Sequence, residues 1–242
     1  MRWQHPILAI QFLTRLPTPQ IKHFEPSMLA QSVGWFPAVG LLIGGFLLIP
    51  SYFLAHESWL AAVLGVLLWT WITGGLHLDG LADLSDGLGA AHRDPQRFLA
   101  VLKDPHLGSF GVISLILQLM LKLVLLMLCV RAQAWWAIVL IPAWARSGVY
   151  SWQTLPSLAP GMAEQFGWSK SPLLAWAWWL GLFAASAWLS PWLCAGLIVI
   201  YAYRAWLKRK LGGVTGDCLG AGIEVSETAL LLVTTLATVL AQ

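Results

Sequence analysis

The chain has 242 residues, 58% of them hydrophobic and only 10% charged, with a mean hydropathy of +0.72. A soluble domain of this length carries about a quarter charged residues, and a disordered chain combines low hydrophobicity with high net charge, so both classes are excluded. The net charge of +3 is dispersed between apolar runs and gives no basic tract for nucleic acid.

The opening MRWQHPILAIQFLTRLPTPQ has an apolar stretch broken by Gln11 and followed by Arg15 and two prolines. That is a poor secretory signal, and residues 1–30 read as an interfacial segment. A bilayer core takes about 20 apolar residues per helix. Runs near that length fall at 33–55, 58–78, 110–130, 133–152, 172–189, 191–207 and 226–241. The fifth and sixth are separated at Ser190-Pro191, because the residue before proline is disfavoured in a helix. The threonines of the last run can bond back to helix carbonyls. The expected fold is therefore all-α, a polytopic transmembrane helix bundle of about seven spans, in one integral-membrane domain over 1–242. Cys129, Cys194 and Cys218 form no C-x-x-C pair, which argues against a disulfide framework or a zinc site.

Lysine and arginine near span ends set orientation. With an inner N-terminus, Arg2, Arg15, Lys22, Arg93, Arg97, Lys103, Lys170, Arg204, Lys208, Arg209 and Lys210 gather on the inner side. Of the 14 basic residues only Arg131 is then outside, with Lys122 and Arg146 inside spans. All 11 acidic residues except Glu57 fall on the inner side as well. The chemistry is thus expected on the cytoplasmic face, in glycine-rich acidic segments over 79–109 and 208–227.

The first of these, GGLHLDGLADLSDGLGA, continues the second span and carries Asp79, Asp83 and Asp86 at i, i+4 and i+7. That spacing stacks side chains on one helix face. Like charges so placed repel unless a cation sits among them, and carboxylate oxygens with room for water suit Mg²⁺. A solvated helix end is the plainer alternative, but the surrounding glycines favour close approach of a ligand or helix. The second segment, GGVTGDCLGAGIEVSE, if helical from about Gly216, sets Asp217, Gly220, Glu224 and Glu227 on one stripe. Glu224 and Glu227 are equally explained by negative charge favoured in the first turns of a helix.

In LKDPHLGSFG, Lys103, Asp104 and His106 precede two glycines at a helix start, a plausible anion site. His92 and His106 are loop residues suited to acid–base work near neutral pH. His77 is expected to pack, pointing away from the aspartate stripe. Arg15, fixed before two prolines, can hold a phosphate in a bidentate way, whereas Lys208, Arg209 and Lys210 read as headgroup anchors. Arg146 near the inner end of a span is a functional candidate by default, and Lys122, mid-span, can snorkel. Metal-bound carboxylates beside cations suit attack on a phosphate-containing substrate, with a free carboxylate or imidazole taking a proton from an alcohol.

FLTRLP, GGLHLDGLADLSDGLGA, LKDPHLGSFGVISLIL and TGDCLGAGIEVSE, in that order over nearly the whole length, resemble the cobalamin synthases, or adenosylcobinamide-GDP ribazoletransferases. The resemblance implies transfer of adenosylcobinamide phosphate from adenosylcobinamide-GDP to α-ribazole or its 5′-phosphate, with GMP leaving. It also implies Mg²⁺ as cofactor and a place in the bacterial cytoplasmic membrane, in contact with lipid, with a homo-oligomer left open. On that footing Asp79, Asp83, Asp86 and Asp217 are the expected metal ligands. Arg15, Lys103 and Arg146 are the expected substrate contacts, and Asp104, Glu224 or His106 the base. DGLADLSDG is also similar in part to the motif of CDP-alcohol phosphotransferases, but departs from it at Asp83 and in the spacing of the later aspartates. That activity and an ion-coupled transporter are the rival readings.

Overall fold

The computed structural model describes residues 3–21, 25–91, 94–167 and 172–240. Arg2, Lys22, His92, Arg93 and Lys170 lie outside them. Among the described residues the structure is helical, with a single isolated bridge between Ser157 and Val214. The helices are α1 (Gln4–Leu13), α2 (Pro26–Ser32), α3 (Phe36–Phe53), α4 (Ser58–Thr73), α5 (Leu76–Ala90), α6 (Pro95–Val101) and α7 (Ser109–Arg131). They continue with α8 (Trp135–Ser147), α9 (Val149–Trp152), α10 (Met162–Gly167), α11 (Pro172–Leu189), α12 (Gly196–Lys210) and α13 (Gly216–Leu240).

Four helical stretches among the described residues are long and apolar enough to cross a bilayer: Ser27–Phe53, Ser109–Arg131, Pro172–Leu189 and Gly216–Leu240. A fifth arises if Ser58–Thr73 and Leu76–Ala90 count as one bent pair. The outward side chains of α7 include Phe110, Ile113, Ile116, Leu117 and Met120, all exposed. Such a continuous apolar wall is a liability in water and a requirement in lipid. The other expected spans are shorter: α8 has 13 residues and α12 has 15, about 20 Å of helix each at 1.5 Å per residue. The interfacial segment expected over 1–30 ends sooner, since α2 runs into α3 as one stretch from Ser27.

The aspartate-bearing helix does not continue the second span. Gly74 and Gly75 have φ of +64° and +75°, the left-handed region that glycine enters without steric cost, and α5 leaves α4 at 87°. It runs across the N-terminal ends of α7 and α13. A Cβ on Gly80 would stand 2.9 Å from the Asp217 carbonyl oxygen, and one on Gly111 would meet the Asp86 carboxylate. A similar economy joins α3 to α8, where Gly40 and Gly44 lie against the backbone of Ala143 and Val139, the small-xxx-small arrangement of close membrane helices.

Inside the bundle, four ionisable groups meet. Lys122 Nζ donates to Glu224 Oε2 at 2.7 Å and Glu227 Oε2 at 2.8 Å, and Arg146 Nη1 donates to Glu227 Oε1 at 2.8 Å. Gln118 Nε2 donates to Glu224 Oε2 at 2.9 Å, and the Lys122 ammonium stands 4.3 Å from the Trp69 ring centre. All four charged residues are buried. Lys122 therefore does not snorkel, because two carboxylates solvate its ammonium where it is. Removing one partner of a buried pair costs about 3–5 kcal/mol. We expect Lys122→Met to lower the thermal unfolding midpoint in detergent by several degrees, and Lys122→Met/Glu224→Gln to recover part of the loss.

Candidate active site

A cleft of about 680 Å³ opens where α1, α5 and the loop before α7 meet. Arg15, Asp79 and Asp83 line it, with Pro105 and Leu107 at the loop side. Arg15 is placed by its own backbone, whose N–H donates to the Ile72 carbonyl at 2.7 Å at the end of α4. Its side chain crosses Gly74, so closely that a Cβ there would collide with it. The bend that frees α5 thus also seats the arginine.

The carboxylates of α5 share a helix but not an environment. Asp79 is exposed and Asp83 half-buried. Burial first, then the charges of Asp79, Asp217 and Asp86, push the Asp83 carboxyl up to about 6. Asp86 is buried, and its two oxygens accept from the Gly108 and Gly111 N–H groups, each at 2.8 Å. It caps α7, whose first amides otherwise have no partner. Asp217, in the first turn of α13, accepts from Thr215 Oγ1 at 3.4 Å and lies against Gly80. A second cavity of about 140 Å³ lies behind the cleft, lined by Asp217, His77 and Phe12. Asp79 lines both spaces.

In the loop before α7, Asp104 Oδ1 accepts from the His106 backbone N–H at 3.0 Å and stands 2.6 Å from His106 Nδ1. Those hydrogen bonds hold the Asp104 carboxyl below its ordinary range. Both side chains are exposed beside the cleft-lining Pro105 and Leu107. Lys103 is exposed too and lines no part of the cleft. Two expected site residues lie elsewhere: Glu224 is locked to Lys122 and Gln118, and Arg146 to Glu227. His77 is buried as expected, but neither ring nitrogen has a partner among the described residues. A larger cavity of about 1090 Å³, between α2, α9, α11 and α12, shares no lining residue with the aspartate cleft.

These positions bring Arg15, Asp79 and Asp83 to one cleft, with the Asp104–His106 pair on the loop at its edge and Asp217 lining the cavity behind. A profile of the cobalamin-5-phosphate synthases matches residues 5–235. The chain belongs to that family. It is 57% identical over 235 residues to an adenosylcobinamide-GDP ribazoletransferase of Laribacter hongkongensis, covering 96% of each chain. The corresponding enzyme of Thiobacillus denitrificans is 52% identical over 93% of this chain and 92% of its own length. That of Novosphingobium aromaticivorans is 45% identical over 93% of this chain and 94% of its own. No solved structure matches.

As to a metal, among the described residues no three carboxylate, imidazole or thiol groups converge closely enough to enclose an ion. The donor set nevertheless fits Mg²⁺, which takes one or two carboxylates and completes its shell with water and substrate phosphate. Asp83 is raised by burial and then by its carboxylate neighbours, and a cation would relieve the second of these.

Nothing local in the sequence marks Phe36 and Phe166 as walls of the inner cavity, since they come from α3 and the short α10. It also did not reveal that Asp86 is bound by backbone.

Two outcomes follow from this geometry. Alanine at Gly74 costs about 1–2 kcal/mol for its left-handed backbone and displaces Arg15, so KM for a phosphate-bearing substrate should rise in Gly74→Ala. The folded state holds the Asp83 proton more tightly than the unfolded chain, so this group's stabilisation is greatest below about pH 4 and lost as pH rises through about 6. With divalent ions chelated, Asp83→Asn should unfold at a higher temperature than the parent at pH 7.5, and the difference should vanish near pH 4.

Proposed function

We propose that the protein transfers adenosylcobinamide phosphate from adenosylcobinamide-GDP to a ribose hydroxyl of α-ribazole or its 5′-phosphate, releasing GMP. The reading is carried by one observation above the others: in a member of this family, Arg15, Asp79 and Asp83 line a single cleft. The new bond joins the ribose oxygen to the cobinamide-bearing phosphorus, and the bond from that phosphorus to the bridging oxygen breaks. The bridging oxygen and its electron pair depart with GMP, and the product is adenosylcobalamin or its 5′-phosphate.

Asp79 and Asp83, with Asp217 behind them, would supply one or two carboxylates to Mg²⁺, and diphosphate oxygens and water the rest. When bound there, the ion supplies charge neutralisation on the leaving phosphate. Asp86 serves the site by fixing α5 against α7. The Arg15 guanidinium grips a phosphate oxygen pair, a planar fork suited to that task. His106 is the base, its Nδ1 side held by Asp104 and its Nε2 free to take the hydroxyl proton. An imidazole oriented by a carboxylate in this way is a recurrent catalytic arrangement. Glu224 is left out of the chemistry, being neutralised by Lys122.

We place the protein in the bacterial inner membrane with the cleft facing the cytoplasm, where nucleotide substrates are. Seven crossings follow if α4, the α8–α9 stretch and α12 join the four long ones, the short helices being sheathed by their neighbours and spared direct contact with a full lipid thickness.

The decisive assay is nucleotide release by the purified protein in lipid vesicles. GMP should appear from adenosylcobinamide-GDP only when both α-ribazole and Mg²⁺ are present, and Asp79→Asn or Asp83→Asn should lower kcat by about a hundredfold or more. His106→Ala should lower it by about 10²-fold. Release of CMP from a CDP-alcohol, or uptake into vesicles without product, would overturn the reading, as would parental turnover in both aspartate variants.

A further inference from the structure

The 140 Å³ cavity behind Asp79 has a composition unlike that of the cleft in front of it. Its wall includes Phe12, Phe36 and Phe166, which pack on one another with ring centres 5.4 to 5.9 Å apart. Val149 and Ile223 complete an apolar lining. The polar residues on it are few: Asp79 and Asp217 toward the cleft, and His77, which is 3% exposed with both ring nitrogens unpartnered among the described residues. A buried imidazole without a partner is costly, and a ligand that supplies one recovers that cost. Phe12, Leu76 and Asp79 line both spaces, so the cavity adjoins the place of reaction.

We propose that this cavity is the subsite for the aromatic base of the nucleoside acceptor. The assignment rests on the transferase reading above and adds to it where the acceptor sits. Cavities of roughly 150 Å³ with aliphatic and aromatic walls take up a benzene ring, so the benzenoid half of a benzimidazole matches the space. With that half innermost among the phenylalanines, the imidazole half faces the mouth. The glycosidic nitrogen and its ribose then emerge beside Asp79, where a hydroxyl can meet the activated phosphorus. His77 supplies a hydrogen-bond partner for the ring nitrogen that carries no ribose. The edge-to-face packing of Phe166 on Phe12 and Phe36 makes it the residue that sets how large a base is admitted.

The test measures GMP release by the full chain in vesicles, varying each substrate separately. Free 5,6-dimethylbenzimidazole should inhibit the parent protein competitively against α-ribazole and not against adenosylcobinamide-GDP. Val149→Phe, which narrows the cavity, and His77→Phe should each raise KM for α-ribazole about tenfold or more, leaving KM for adenosylcobinamide-GDP within twofold. Phe166→Ala should improve the relative use of ribosides with bulkier bases. If GMP is released normally but the free base fails to compete with α-ribazole, the subsite is wrong and the transferase reading stands. If no GMP is released by the parent protein with any acceptor, the transferase reading itself has failed. The inhibition experiment needs no variant, so misfolding of Val149→Phe or His77→Phe leaves it decisive.

Discussion

The arrangement depends on the pairing of four charges inside an apolar bundle. Lys122 on α7 and Arg146 on α8 together neutralise Glu224 and Glu227 on α13. A charge without a partner at that depth is so unfavourable that α13 is held to one register against α7 and α8. Asp217 lies seven residues, two helical turns, before Glu224 on the same helix. Fixing Glu224 therefore fixes Asp217, and with it the point where Gly80 of α5 can come close. The ion pairs take no part in the proposed chemistry, yet they set the position of a carboxylate that does. Such pairs are weak as sources of net stability, and their use here is to specify register.

Glycine then does what the charges cannot. The Gly74–Gly75 turn redirects the chain by 87° so that α5 lies across the ends of α7 and α13. The missing side chain at Gly74 also leaves room for Arg15. One backbone feature thus brings a cation from the N-terminal segment and two carboxylates from α5 to the same cleft. A straight continuation of α4 would have carried Asp79 and Asp83 away from Arg15, along the axis of the span.

Much of this was legible from the residues. The helical stripe of Asp79, Asp83 and Asp86 is real as local structure, and α13 does start at Gly216, so that Asp217, Glu224 and Glu227 lie along one helix. Spacing describes a helix, however, and not its direction, which is why the 87° bend escaped a reading that continued the second span. Spacing also does not say what a carboxylate faces. Asp86 has the same period as its neighbours, but the amides that bind it come from residues 22 and 25 positions later. Arg146 is marked by its place in a span and Lys122 reads as able to snorkel, but the partner they share, Glu227, is remote in sequence. The inner cavity was illegible for the same reason: Phe12, Phe36 and Phe166 come from three separate helices, and no local pattern marks them.

The acidic residues of the two glycine-rich segments therefore divide by environment. Two backbone amides occupy Asp86, and buried cations compensate Glu224 and Glu227. What remains is a group of three, Asp79, Asp83 and Asp217, which take part in no ion pair among the described residues. Burial first, and then the neighbouring negative charges, raise the Asp83 carboxyl. A fold that neutralises its buried acids and leaves Asp79 and Asp83 in a cleft, with Asp217 behind them, has gathered negative charge at one place. On the proposed reading that charge would favour a divalent cation, and Arg15, which lines the same cleft, would hold the diphosphate. On that reading the carboxylates alone do not enclose the ion, substrate oxygens would supply the remaining ligands, and metal and nucleotide would bind with positive coupling.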